Sequence, residues 1–452
     1  PRLKHAEENH KRGTCSMVAL SAVGIIVAFV LLIGGSWKKI SMFLVAVICA
    51  GIIGATGGLG FIEAIKGPYM DGFTDFVKSW AVIIALGALL GSLYGKSGAA
   101  WRIGDVLIAK AGSSLALLVY VLVGALLVYC GIAVPVTLFV LLPFAKVIFP
   151  RAGIPWSLFP AVTGLGVATF AMYTPGSLQV INLIPTQYYG ISTMAAPLEG
   201  FASSAFLLIV GILYLKWEIR RNSRNLALDG PDQYIVQGEK VDNSEMAEKA
   251  PPFLIALIPV VVTLILVNLL QIDTIISFSV GCILALVLFW KNIPDKAACI
   301  SQGFNDGIMP CILVSAVVGL GSVISSTPVF AEIRDNVMLL PINGLAKVAA
   351  VSTIISGISA SAAGGIQLAM NLFGEEFLSW GYSPDIIARV AAIASGGLDS
   401  MPWNGTVVMM FTLSGVGYSK GYKYVAVITV ILPIVTSLFA ALLYTVRMGL
   451  LG

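Results

Sequence analysis

Two short stretches of one apolar run, Ser352 to Thr412, hold residue types that can do chemistry at membrane depth. SASAAGG, Ser359 to Gly365, and SGGLDSMPWNG, Ser395 to Gly405, interrupt that run with small and polar residues. Chain that leaves the helix inside a bilayer exposes N–H and C=O groups, which is tolerated only where protein or a water-filled cavity satisfies them. Half-helix N-termini then offer N–H groups to anions, and unwound carbonyls can hold cations. The second stretch adds Asp399, the lone carboxylate of that broken segment. An ionisable group at this depth is costly and marks function by default, here protonation during transport or ligation of a coupling cation. Asp399 would equally serve as a helix cap, accepting N–H bonds from the turn after the break. Both roles stand open.

The elements that position these stretches are membrane helices. Of 452 residues, 58% are hydrophobic and 11% charged, and mean hydropathy is +0.94. Many segments are long enough to cross a hydrocarbon core about 30 Å thick. The fold class expected is an all-α polytopic membrane protein, with membrane lipid as its surroundings. A soluble protein with buried helices would carry more charge on its outer faces. The net charge of +4 is spread among loops, which argues against a nucleic acid partner. Cysteines 15, 49, 130, 282, 299 and 311 form no CxxC and read as packing residues. Both histidines, His5 and His10, lie in the polar tail. No metal site, triad or histidine relay at membrane depth is therefore expected, and no cofactor. A membrane-embedded enzyme is disfavoured, since no nucleophile–base pair is visible.

A polar N-terminal tail, 1–16, precedes a first half, 17–217, and a polar linker loop, 218–252, separates it from a second half, 253–452. In the first half, spans at Met17 to Gly34 and Ile40 to Gly60 lead to an interfacial piece, Phe61 to Lys78, and a span from Trp80 to Gly95. Ser97 to Ala111 reads as an amphipathic helix on the membrane surface. A re-entrant hairpin is expected at about 115–149, broken at CGIAVP, and a broken helix at about 155–189, interrupted over Thr174 to Thr186. Met194 to Trp217 closes the half. The second half repeats the order, with an interfacial Asp295 to Asp306, a hairpin at about 345–373 and a broken helix at about 386–413.

The repeat shows in the residues themselves. GFTDFVKSWAVIIALGALLGSLYGKSGAAWRIGD, from Gly72, aligns with GFNDGIMPCILVSAVVGLGSVISSTPVFAEIRD, from Gly303. Carried forward, the offset lays CGIAVP over SASAAGG and Thr174-Pro175-Gly176-Ser177 over Trp403-Asn404-Gly405-Thr406. If each hairpin returns to its own side, each half has about five crossings and the two repeats are inverted. Seventeen Lys and Arg then collect on the side of the linker and six on the other, namely Lys66, Lys78, Arg334, Lys347, Arg389 and Arg447. The positive-inside rule makes the linker cytoplasmic. The basic tail, with Arg2, Lys4, Lys11 and Arg12, is the exception.

Two hairpin tips entering from opposite faces would meet two broken helices, a transporter design. The predicted substrate lining is Gly131, Thr137, Thr174, Gly176, Ser177, Gln179 and Asn182 from the first half. The second half contributes Ser359, Ser361, Gly364, Gly365, Gln367, Asn404, Gly405 and Thr406, with Asp399 for the coupling ion. The alternative for each Ser or Gly is close helix packing. No Arg or Lys falls in the breaks, so a bound carboxylate would rely on N–H groups, hydroxyls and amides. Glu199 reads as interfacial, with a place on a proton path as the other option.

At GLGSV, SASAAGGIQLAMN and ASGGLDSMPWNGTVV the sequence resembles the gluconate permease family of the ion-transporter superfamily. The resemblance implies secondary active uptake of small hydroxy-carboxylates, usually by proton symport, in a homodimer moving in an elevator fashion in a bacterial inner membrane. Sodium coupling, or a channel or sensor on the same fold, are the alternatives. Gluconate-type members resemble one another in PPHPGP and PHNG stretches, where this chain has Tyr173-Thr174-Pro175-Gly176 and Pro402-Trp403-Asn404-Gly405. The bulky Tyr173 and Trp403 argue for a shorter, less hydroxylated acid than a sugar acid. TPGSLQVINLIPTQYYG looks closer to members associated with 3-hydroxybutyrate and related short acids.

Overall fold

The computed structural model describes residues 17–451 except 29, 32–33, 35–40, 112, 130–133, 178, 230–248, 267–269, 271, 337–338, 340, 343 and 360. The tail, most of the linker and Gly131 lie outside the described residues, as do Cys130 to Ala133 at the expected tip of the first hairpin. Among the described residues every regular element is helical. The first half comprises α1 (Met17–Ala28), α2 (Met42–Thr56), α3 (Phe61–Ala64), α4 (Met70–Lys96), α5 (Ala99–Ala111) and α6 (Ser113–Tyr129). It continues through α7 (Val134–Ala152), α8 (Phe159–Val167), α9 (Phe170–Tyr173), α10 (Val180–Tyr188) and α11 (Pro197–Asp229). The second half comprises α12 (Phe253–Leu264), α13 (Thr274–Leu288), α14 (Lys296–Ser325), α15 (Pro328–Asn336) and α16 (Leu345–Ile358). It ends with α17 (Ala362–Ser379), α18 (Pro384–Ser395), α19 (Gly405–Ser414), α20 (Tyr418–Val425) and α21 (Leu432–Leu451).

Among the described residues three stretches are long and apolar enough to cross a membrane unaided: Trp156–Tyr173, Pro197–Asn222 and Tyr418–Gly449. A fourth is the pair Phe61–Ser79 and Ala81–Lys96, bent by 49°. Shorter apolar helices fill most of the remainder. The chain is an all-α polytopic membrane protein.

The two pieces expected at the interface are both helical: Phe61–Ser79 is bent by 49° from the helix that follows, and Asp295 to Asp306 opens α14. Asp71, Asp75 and Lys78 are exposed on α4 while Gly72 is buried. On α14, Asn305 and Asp306 are exposed while Gly303 and Gly307 are buried. Polar residues on one face and glycine on the other keep the helix going past the point where charge density alone would stop it. Asp295 caps α14, accepting from the Ala298 N–H at 2.9 Å. The closing helix of the first half also runs on past Trp217 to Asp229, into the segment read as linker.

The buried glycines form the seam of the molecule. A Cβ on Gly303 would stand 2.9 Å from Leu89 Cα, and one on Gly307 would stand 2.9 Å from Ala85 Cα. At the other end, a Cβ on Gly72 would stand 3.2 Å from Gly319 Cα. Helices α4 and α14 therefore cross antiparallel at near backbone contact, with dispersion contacts that only missing side chains permit. The contact is reciprocal. Gly72 meets the end of α14, and Gly303, its counterpart in the sequence repeat, meets the end of α4.

Around this seam α2, α12 and α13 complete one layer. Tyr94 on α4 donates to the Ala256 carbonyl on α12 at 2.6 Å. Helix α5, expected on the surface, buries Ala99, Ala100, Trp101 and Ile103 against its neighbours. Asp105 on its polar side pairs with Arg151 at 2.8 Å, whose guanidinium also lies 4.7 Å from the Trp101 ring centre.

Both expected hairpins are helix pairs folded back on themselves, α6 with α7 and α16 with α17. Their second arms differ. Helix α7 packs on α4, with the Tyr94 and Phe144 rings 6.1 Å apart. Helix α17 packs on α10, α16 and α18 and leaves Gly364, Gln367, Asn371 and Glu375 exposed along one face.

The glycine seam predicts that Gly307→Leu, forced against Ala85 and Ala88, destabilises the protein by about 1–3 kcal/mol through overpacking. A lowered thermal unfolding midpoint in detergent would register it, and an unchanged midpoint would mean that the seam is not close-packed.

Candidate functional site

The first broken helix descends through α8, whose nine residues are all buried. It kinks at Thr169 (φ −135°, ψ −120°) and takes one more turn as α9. Thr174 then goes extended, as the residue before a proline prefers. Gly176 follows at φ +83°, a conformation that glycine adopts without strain. There is also no room for a side chain, since a Cβ would lie 2.6 Å from the Tyr129 hydroxyl.

The exposed peptide groups of this break are held by side chains. Tyr129 at the end of α6 donates to the Pro175 carbonyl at 2.9 Å, and Gln179 Nε2 donates to the Val128 carbonyl at 2.7 Å. Asn182 Nδ2 donates to the Ser177 carbonyl at 2.9 Å and to Thr193 at 3.2 Å. The Gly176 N–H donates to Thr193 at 3.0 Å. Thr174 Oγ1 donates back to Phe170 at 2.7 Å and lies 2.7 Å from Ser204 Oγ. Ser177 Oγ accepts from the Gln179 N–H at 3.3 Å.

One residue of this cluster comes from the other half. Arg389 on α18 is 1% exposed. Its guanidinium donates to the Tyr173 carbonyl, to Asn182 Oδ1 at 2.8 Å, to Thr193 at 3.2 Å and twice to Ala195, at 2.8 and 3.1 Å. The charge count set Arg389 among the outer charges, and no Arg or Lys lies within the breaks in sequence, but the fold buries Arg389 on α18 and brings it against the first break. The signal was an arginine inside Ile-Ile-Ala-Arg-Val-Ala-Ala, an intramembrane charge that the loop count absorbed.

The second break runs from Gly396 to Asn404. Thr353 on α16 donates to the Ala394 carbonyl at 2.9 Å, and Gly357 leaves room for Leu398, 2.6 Å from where its Cβ would be. Asp399 sits on a single 3₁₀ turn, half-buried. Its carboxylate accepts from Ser400 Oγ at 3.1 Å and lies at the Ala362 backbone amide, the first of α17. Among the described residues no cation is within ion-pair distance of it. Tyr418 and Tyr422 donate to the Pro402 and Ser400 carbonyls at 3.1 and 3.3 Å. Neither tyrosine was singled out from the sequence.

Asn404, not Asp399, caps the helix after the break, its Oδ1 accepting from Thr406 and Val407 at 2.8 and 3.1 Å. Ser361 caps α17, accepting from the Gly364 N–H at 3.1 Å. Ser359 Oγ donates to Ser356 and Ser361 carbonyls at 3.2 and 3.1 Å. Gly365 is buried against Ser356, whereas Gly364 is exposed and Gln367, also exposed, donates to Asn371 at 3.0 Å. Gly405 and Thr406 form the half-buried first turn of α19. The N-terminus of α17 thus opens at Asp399, and that of α19 is closed by Asn404.

Most of the predicted residues fall into two clusters, each a hairpin end against the break of its own half. Thr174, Gly176, Ser177, Gln179 and Asn182 gather at the first. Ser359, Ser361, Gly364, Gly365, Asp399, Asn404, Gly405 and Thr406 gather at the second. Thr137 is buried beside a cavity of about 10 Å³ with Leu90, Leu127, Val140, Val260, Thr263 and Phe278, facing α4, α12 and α13. Glu199, read as interfacial, is buried on α11 and 2.8 Å from Arg447 on α21.

Helical hairpins closing on unwound helices, in a chain with this hydropathy, define a membrane transport protein. Residues 16–292 match the model of the GntP family permeases, and the chain belongs to that family. It is 27% identical to the uncharacterized transporter YxjC of Bacillus subtilis, over 90% of this chain and 95% of the relative. It is 22% identical to the high-affinity gluconate transporter of Escherichia coli, over 68% and 70%. The gluconate permease of Pseudomonas aeruginosa is 29% identical over 42% of this chain and 44% of its own length. The protein is a permease and not an enzyme.

Capping predicts the cost of one substitution at the second break. Asn404→Ala should lose about 1 kcal/mol of stability, while Asn404→Asp keeps the acceptor and loses far less. Equal unfolding midpoints for the two variants in detergent would remove the capping role.

Proposed function

We propose that this permease is a symporter of small hydroxy-carboxylates such as 3-hydroxybutyrate, gluconate or related organic acids, driven by a coupling cation, with the proton favoured. The observation that carries this reading is Asp399. It is a carboxylate in an unwound segment, set on the first amide of α17 and unpaired with any described cation. Protonation would remove its charge from that N-terminus and leave the amide to the substrate carboxylate. The names of the gluconate relatives support the substrate class. Sodium is the competing coupling ion, because the Ser359 and Ser361 oxygens and the Asp399 carboxylate are hard ligands that the fold brings to the same end of α17.

Uptake of 3-hydroxybutyrate and gluconate into proteoliposomes, under a pH gradient or a sodium gradient separately, decides between these. We expect accumulation under the pH gradient. Asp399→Asn should abolish it while exchange of substrate across the membrane persists. Equal accumulation by the variant would return Asp399 to a purely structural role, and flux without saturation or counterflow would make the protein a channel.

The reading extends to the cycle. Inverted repeats of about five crossings, with a cytoplasmic linker at 218–252, are supported by the charge distribution and by the reciprocal antiparallel contact of α4 with α14. In such a pair, alternating access is largely a rigid-body movement of one part against the other around the site. Helix α7 packed on α4 and the exposed polar face of α17 support a conformation open at the second hairpin, which with a cytoplasmic linker would be the outside. Elevator-type movement in a homodimer would alternate the two arrangements. Gln367→Cys, with the native cysteines replaced by serine, should react with an impermeant thiol reagent added outside. An inward-directed substrate and proton gradient should slow that reaction, and labelling only from the inside would reverse the orientation.

A further inference from the structure

We propose that Arg389 selects the anion through its field, as a fixed positive charge behind the first break whose N–H groups are all engaged elsewhere. The inference rests on the substrate being a small organic anion. Five donor contacts run to four neutral groups, the carbonyls of Tyr173, Thr193 and Ala195 and the Asn182 amide oxygen. Those bonds solvate the guanidinium but leave its charge uncancelled. A charge so deep is retained where something uses it.

The surrounding acids do not neutralise it. Glu199 precedes Gly200, whose Cβ position would lie 3.0 Å from Arg389 Nε, but its carboxylate is taken by Arg447 at 2.8 Å. Asp385, one turn earlier on α18, acts on Arg389 from a distance and is half-buried. Among the described residues no carboxylate lies within ion-pair distance of the guanidinium. Asp399 belongs to the other break, with the α17 N-terminus for its partner. The first break is therefore net positive, and a carboxylate arriving between the breaks meets that field in surroundings that screen it poorly. Because every N–H is committed, the residue attracts and orients without needing a direct contact.

The test separates charge from hydrogen bonding. Arg389→Lys keeps the charge with three N–H donors in place of five, while Arg389→Gln removes the charge and keeps two donors. Both variants should melt lower than wild type in detergent. In counterflow with 3-hydroxybutyrate or gluconate, whichever wild type carries, the lysine variant should keep KM within about threefold and the glutamine variant should raise it tenfold or more, a step of about 1.4 kcal/mol. An equal rise in both would make Arg389 a strut only. Asp385→Asn gives an independent reading that leaves every acceptor of Arg389 in place. It removes an opposing charge and should lower KM two- to threefold, and an unchanged KM overturns the proposal. If wild type carries neither acid nor any other hydroxy acid, the functional reading fails and this inference with it. Wild-type transport with charge-blind variants sinks the inference alone.

Discussion

The structure depends on satisfying peptide groups where two membrane helices come undone. A buried N–H or C=O without a partner costs roughly 1–3 kcal/mol, so several in one unwound segment would undo the local gain from packing. The first break answers with long polar side chains brought from α6, α10 and α18. The second answers with tyrosine hydroxyls, a threonine and two capping residues. Each hairpin ends where its own half needs partners, which is why a hairpin and a break always come together in this fold.

The two solutions differ in stiffness. Arg389 makes bidentate and forked bonds to several groups at once, so the carbonyls of Tyr173, Thr193 and Ala195 cannot move apart without breaking more than one of them. Around Asp399 the partners are hydroxyls and single amides, each free to rotate or be replaced. A ligand that changes the charge of the second break therefore meets little mechanical resistance there. The asymmetry sits on a background of matched glycines in α4 and α14, where the halves resemble each other most.

Much of this was legible from residue order. Hydropathy gave the helical class, and Pro, Gly and Asn inside apolar runs marked the breaks at Thr174 and at Pro402 to Gly405, because those residues cannot continue a helix without cost. The resemblance carried the family. What was hidden is what depends on facing. Over Phe61 to Lys78 a linear window cannot see that Gly72 is turned inward and Asp71 and Asp75 outward. Cap assignment stayed open for the same reason. Asp399 and Asn404 are both good acceptors within one stretch, and only the fold shows Asn404 over α19 and Asp399 across at α17. Arg389 was misread because a count by loops assumes that every charge near a helix end is in water.

Directional and non-directional contacts divide the molecule in a way that bears on movement. Trp156 donates to the Ser414 carbonyl at 2.8 Å, tying the start of the first broken helix to the end of the second. Tyr189 donates to Gly374 at 3.0 Å, tying α17 to the end of α10, and Arg389 ties α18 to the first break. On the other side, Tyr94 to Ala256 and Cys282 to the Leu86 carbonyl at 3.4 Å tie α4 to α12 and α13. Between these groups, α7 meets α4 through rings and aliphatic side chains such as Phe144, Tyr94 and Leu90, and the directional link there is at its end, where Arg151 pairs with Asp105 on α5. Hydrogen bonds have one good geometry, whereas apolar surfaces retain most of their contact energy when they slide by a side chain. A body held together by the former and seated on the latter is what the proposed alternating access requires, and Arg389 lies on the bonded side of that boundary.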